Sequence, residues 1–119
     1  MGISHDLYEV LRDVLSHLYD PTYRVPSELG RLLVGADVST VEEIRPVIEE
    51  NIQSLRPGDG VPHHTRSWRM YNVLKLRYLE HLTQEDAALR LGLAVRQLAR
   101  NQAEAIELLA DRLGSVVAD

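Results

Sequence analysis

Three side chains capable of directed hydrogen bonding lie close together near the start of the last helical segment. Arg96, Gln97 and Arg100 fall within five residues, and a helix places Arg96 and Arg100 one turn apart on one face. Arginine suits the O6 and N7 acceptors of guanine, and glutamine suits the N6 donor and N7 acceptor of adenine. These residues therefore predict contacts with bases and phosphates. The alternative is that they form an ordinary solvated helix face.

Four further basic residues precede this stretch and could meet a phosphate backbone: Arg66, Arg69, Lys75 and Arg90. The alternative for each is an ordinary surface position, since scattered cations are common on proteins.

Catalysis and metal binding find no support in the sequence. The chain has no cysteine, which excludes disulfides, thiolate zinc sites and a cysteine nucleophile. His63 and His64 are adjacent, but His-x-x-x-His spacing is missing, so we interpret them as loop residues rather than ligands. No Ser/His/Asp arrangement or phosphate-cradling glycine loop is present. We expect no enzymatic activity, no cofactor and no metal.

The charge is distributed unevenly along the chain. The net charge is -5, yet residues 1–63 hold 5 basic and 11 acidic side chains, whereas residues 64–119 hold 8 basic and 7 acidic ones. This asymmetry is compatible with nucleic-acid contact by the second half. No apolar run approaches the roughly 20 residues of a membrane span, and no secretory pattern opens the chain. We expect a cytoplasmic protein without membrane contact.

Apolar spacing in the first half predicts three helices and no strand. Residues 7–18 repeat at i, i+3 and i+4, and a short helix is expected between Pro26 and Gly35. Ser39 and Glu42 predict a capping box for the third helix, which Pro46 is expected to kink or split.

The loop at residues 56–65, RPGDGVPHHT, predicts the boundary between two halves, because it holds two prolines and two glycines. We expect a helical subdomain at 1–55 packed on a second unit at 66–119, in an all-α fold of about six helices. The helical spacing of Trp68, Tyr71 and Tyr78 predicts core positions rather than base-stacking ones.

The stretch LTQEDAALRLGLAVRQLARNQ, residues 82–102, predicts two helices joined by a tight turn. Thr83 is placed to cap the first helix, with Asp86 three positions on. Ala88 is small where a second helix must cross, and Gly92, four residues later, tolerates the positive φ of a short turn. The second helix is expected to begin near Ala94.

Residues 68–113, and above all YNVLKLRYLEHLTQEDAALRLGLAVRQLARNQAEAIELL, resemble the helix-turn-helix of the C-terminal DNA-reading domain of bacterial sigma factors and of LuxR-type transcription regulators. The resemblance rests on the leucine-rich helix ending in LRYLEHLT, the acidic Gln84-Glu85-Asp86 opening, Leu91-Gly92-Leu93 and Leu98. It implies a DNA-binding transcription regulator whose second motif helix lies in the major groove.

The resemblance also implies contact residues. The base-contacting positions would be Val95, Arg96, Gln97, Arg100 and Asn101. Thr83 and Gln84 would meet phosphate through backbone N–H groups. Ala94 departs from the family, in which this position is commonly a capping residue.

A second function remains open from the residues: a protein-interaction module that keeps the fold without binding DNA. The acidic first half favours it, and so do Glu104, Glu107 and Asp111, which follow the arginines. RNA polymerase or another regulator protein is then the expected partner. The apolar stripe of the last helix further predicts a homodimer contact near Leu113 to Val117, with Ile106 and Leu109 packed inside the chain.

Overall fold

The structure is a computed structural model that describes the backbone of residues 3–118. Over this range the chain is all-helical, as expected, and has six α-helices in the following order. They are α1 (Ile3–Ser16), α2 (Ser27–Val34), α3 (Val41–Ser54), α4 (Arg66–Leu74), α5 (Gln84–Leu91) and α6 (Val95–Ala118). A π-helical segment, Lys75–Leu79, continues α4. The described residues contain no strand beyond one isolated bridge between Arg24 and Thr40.

The start of α3 differs by one residue from the predicted capping box. Thr40, not Ser39, is the N-cap, and the Glu43 carboxylate accepts hydrogen bonds from the Thr40 hydroxyl at 2.6 Å and its N–H at 3.4 Å. The reason lies in the segment between α2 and α3. There the Ser39 carbonyl accepts a hydrogen bond from the Val25 N–H at 2.9 Å, so Ser39 stays outside the helix. These Thr40 hydrogen bonds also lower the pKa of Glu43.

The helix α3 runs through Pro46 without a break, so the predicted split does not occur. Proline removes one backbone hydrogen-bond donor from a helix interior. The helix α3 offsets this lost hydrogen bond by burying one full face. That face consists of Val41, Ile44, Ile48 and Ile52, which are all fully buried.

Both halves of the chain contribute to one hydrophobic core. It joins residues of α1 and α3 to Trp68, Tyr71 and Tyr78, which are buried as the sequence predicted. The loop between the halves is held against the same core, because the Trp68 indole N–H donates to the Val61 carbonyl at 2.9 Å. His63 stacks on the Trp68 ring with centroids 4.5 Å apart.

The apolar side of α6 is covered by the chain itself from Ala105 to Leu113. Ile106, Leu109 and Leu113 are buried in the core that α1 also lines. Packing inside the chain was expected for the first two, but Leu113 was expected in a dimer contact, and that expectation is wrong because its side chain is already covered. Val116 and Val117, which complete the predicted contact, lie outside the residues whose side chains are described.

A polar junction ties the first half to the end of the π-helical segment. The Tyr19 hydroxyl donates to the Tyr78 carbonyl, and the Tyr19 ring stacks on His81 with centroids 4.3 Å apart. Burial raises the pKa of Tyr19, and the Glu49 carboxylate acts in the same direction. His81 has a φ of 57°, a left-handed conformation that is unfavourable for a side chain with a Cβ. This junction fixes where the chain leaves α4 and turns towards α5.

Candidate functional site

A turn of three residues, 92–94, joins α5 to α6. Gly92 has a φ of 68°, its N–H donates to the Leu89 carbonyl at 3.2 Å, and the Leu93 N–H donates to the Ala88 carbonyl at 2.8 Å. This pair of bonds is a Schellman motif, which requires a left-handed residue at the position of Gly92. The glycine predicted for the turn is therefore where the backbone needs it.

The start of α5 is capped as the sequence predicted. The Thr83 hydroxyl oxygen accepts from the Asp86 N–H at 3.1 Å, and the Thr83 carbonyl accepts from the Ala87 N–H at 2.9 Å. Thr83 itself is exposed. The first backbone N–H groups of a helix have no acceptor within the helix, so those of Gln84 and Glu85 are left to external acceptors.

A second, smaller hydrophobic cluster holds α5 and the start of α6 on α4. Its buried members come from α4, the π-helical segment, α5 and α6: Val73, Leu76, Ala87, Ala88 and Leu98. Ala87 and Ala88 are almost completely buried, so their small side chains lie where neighbouring helices pack closely. This cluster packs the start of α6 against α4 and α5.

A hydrogen-bonded network also fixes these helices, and the sequence analysis missed it. The Arg77 Nε donates to the Gln102 Oε1 at 2.7 Å, and an Nη of Arg77 donates to the Leu82 carbonyl. The Gln84 side chain donates to the same Gln102 oxygen at 3.3 Å. One N–H of the Gln84 side-chain amide is therefore engaged within the protein, and the Gln84 backbone N–H lies at the first position of α5. No sequence motif marks Arg77, which lies in the π-helical segment, or Gln102, which lies in α6.

The first turns of α6 expose most of the predicted contact residues. Arg96, Gln97 and Arg100 are exposed, and Val95 is 45% exposed. The Ala94 carbonyl accepts from the Leu98 N–H at 3.0 Å, which places Ala94 at the N-cap. Because alanine has no side-chain acceptor, the N–H groups of the first turn remain available.

Asn101 departs from the predicted set. Its side chain is only 3% exposed, so it does not lie on the outer face of α6 and is not a base-contacting position. The reason is its place on the helix, since it shares the inward-facing side with Leu98 and Ala105, both fully buried. The Asn101 Oδ1 accepts from the Gln97 Nε2 at 3.2 Å.

Two of the cations in the second half are paired with carboxylates. Arg66 is exposed but its Nη2 lies 3.1 Å from Glu104 Oε2, so its charge is partly neutralised. Lys75 pairs with Glu80 at 3.7 Å. Arg69 and Arg90 are exposed. In contrast to Arg66 and Lys75, the cations Arg96, Arg100, Arg69 and Arg90 pair with no carboxylate among the described residues.

The outer face of α5 is mixed in character. Leu89 is 82% exposed, and it lies beside Asp86 and Arg90 in a shallow groove that Leu82 completes. Glu85 is also exposed. This face therefore combines one apolar side chain with two carboxylates and one cation.

Within the described residues, no three or more His, Asp or Glu side chains lie close enough together to hold a metal ion. The helices described are each too short or too polar to cross a membrane. No protein-family model, curated protein or solved structure matches this chain.

Proposed function

We propose that this chain binds duplex DNA through α5 and α6, with the first two turns of α6 in the major groove. The observation that carries the proposal is the exposure of Arg96, Gln97 and Arg100 together at the start of a helix that a three-residue turn joins to α5. This is the arrangement that a helix-turn-helix uses to contact base edges.

Arg96 and Arg100 supply the charge-assisted contacts in this proposal, and Gln97 supplies an amide for a base edge. The backbone N–H groups at the start of α5 and α6 add donors for phosphate oxygens. The resemblance to sigma factors and LuxR-type regulators extends the proposal to transcription regulation in the cytoplasm, with RNA polymerase as a further partner.

The described cations indicate modest electrostatic binding. About four phosphates are neutralised if Arg96, Arg100, Arg69 and Arg90 all take part, one for each arginine. The slope of log affinity against log salt should then be about -3.6, at roughly -0.9 per phosphate.

Fluorescence anisotropy of a labelled random duplex, measured over a salt series, tests the proposal. Arg100→Ala should weaken binding and flatten the slope, whereas Arg12→Ala, which removes the same charge from an exposed position of α1, should change neither. Absence of binding at low salt, or equal losses in both variants, would contradict the proposal.

One observation favours a second function, that of a protein-interaction module. Leu89 is 82% exposed on α5, next to Asp86 and Arg90, which suits contact with another protein better than contact with phosphate. In that case Leu89→Ser should abolish binding of the partner and leave duplex binding at its wild-type level. A homodimer stays a proposal, restricted to residues after Leu113, and sedimentation of the intact chain tests it.

A further inference from the structure

Asn101 is a buried polar residue in an otherwise apolar position. It is 3% exposed, and its Nδ2 has no hydrogen-bond partner among the described residues. A buried donor left unpaired costs stability, and a leucine, which has the same side-chain branching as asparagine, would bring no such donor to this position. The stability of the fold therefore does not account for an asparagine at this position.

The hydrogen bond that Asn101 does make is directed at the proposed DNA surface. Its Oδ1 accepts from the Nε2 of Gln97, one helical turn earlier, at 3.2 Å. The Gln97 side chain is exposed, and its amide is held in place by this hydrogen bond to a buried partner. The remaining polar groups of the amide are free to face solvent.

The hydrogen-bonding capacity of the Gln97 amide then decides what it can recognise. A glutamine amide has two N–H donors and one carbonyl acceptor. With one N–H bound to Asn101, one donor and the acceptor remain, and adenine offers the matching N7 acceptor and N6 donor in the major groove.

We propose that Asn101 is a positioning residue that holds the Gln97 amide ready to recognise one adenine. The inference rests on the proposed DNA binding. An exposed glutamine loses rotamer freedom when it contacts a base, and one that is already held loses less. Removing Asn101 should therefore reduce the preference for adenine by about two- to tenfold.

The preference is measured on a duplex selected from a random library by the wild-type protein. Affinity is compared between this duplex and versions with each other base pair at the adenine position. The variants are Asn101→Leu, Gln97→Ala and the double substitution. We expect Asn101→Leu to melt at the wild-type temperature or above it, to keep its affinity for random duplex, and to lose adenine preference. The double variant should match Gln97→Ala alone, because Asn101 acts through Gln97.

A spectroscopic measurement on the wild-type protein does not depend on how the variants fold. The side-chain amide protons of Gln97 should exchange more slowly, in NMR spectra, than those of Gln53, an exposed glutamine of α3. Equal exchange at Gln97 and Gln53 would overturn the inference.

The outcomes separate the inference from the function on which it rests. If the wild-type protein binds duplex DNA and Asn101→Leu keeps the same preference for adenine, the inference alone is overturned. No duplex binding by the wild-type protein overturns the proposed function and the inference with it. Loss of adenine preference with stability retained supports the inference, since a purely structural residue would change stability instead.

Discussion

Replacing Glu104 with glutamine should tighten DNA binding. Glu104 Oε2 lies 3.1 Å from Arg66 Nη2, and the two side chains are 49% and 57% exposed. An ion pair this exposed contributes about 0–1 kcal/mol to stability, so the fold should survive its loss. The substitution releases Arg66 and removes a negative charge one helical turn beyond Arg100, on the same face of α6.

The size of the effect follows from counterion release. If Arg66 then neutralises one more phosphate, the salt slope should steepen by about 0.9. With the rest of the binding free energy unchanged, one such contact multiplies affinity by roughly eight at 0.1 M salt and by roughly four at 0.2 M.

Fluorescence anisotropy over a salt series measures both quantities. Asp37→Asn is the matched control, because it also removes one negative charge and releases an arginine, Arg31, whose Nε lies 3.5 Å from the Asp37 carboxylate in the first half of the chain. Adding Arg66→Ala to Glu104→Gln should remove this steepening of the salt slope. The reasoning is refuted if Glu104→Gln weakens binding, or if Asp37→Asn tightens it equally, since only the total charge would then matter.

Four further substitutions test other parts of the structure. Ala94→Ser should raise stability by about 1 kcal/mol by supplying the missing N-cap acceptor; a melting temperature that stays the same or falls would show that residue 94 is not the cap. Gly92→Ala should lower stability by about 1–2 kcal/mol in denaturant titrations, because φ is 68° there although no atom crowds the site; an unchanged midpoint would contradict this cause. Arg77→Lys should lower stability by about 1 kcal/mol, since one ammonium cannot hold both the Gln102 and Leu82 oxygens with the geometry of a guanidinium; wild-type stability would show that the network is dispensable. Arg96→Ala should cost about 1–3 kcal/mol on the selected duplex and relax preference at one base pair; equal weakening on every sequence would assign Arg96 to the phosphates.

The elements that the sequence predicted well are those determined by neighbouring residues. The Thr83 cap and the turn at Gly92 depend on contacts within six residues, so their spacing is visible in the chain. The start of α3 was displaced by one residue because the competing bond, from Val25 to Ser39, comes from a segment 14 residues earlier. Such a contact leaves no trace in local spacing.

Contacts between distant helices escaped prediction for the same reason. Arg77 and Gln102 are 25 residues apart, and only the π-helical turn after α4 brings them together. Asn101 was assigned to the base-contacting set from the family resemblance alone, although a helix turns about 100° per residue and so carries Arg100 and Asn101 to different faces. The pairing of Arg66 with Glu104 likewise spans 38 residues and changes how much positive charge the site presents.

The charge on the outer face of α6 changes from positive to negative along the helix, which limits how the helix can approach DNA. At about 100° per residue, its charged residues share an arc of about 80°. In chain order they are Arg96, Arg100, Glu104, Glu107 and Asp111. A helix lying flat in the groove would bring the three carboxylates near phosphates, which is unfavourable. Only the first two turns therefore suit contact, with the axis tilted so that the acidic half points away. That acidic half is the part of α6 that the larger core holds through Ile106, Leu109 and Leu113. Core packing thus explains α6 as far as Leu113, while the proposed DNA contact needs only its beginning.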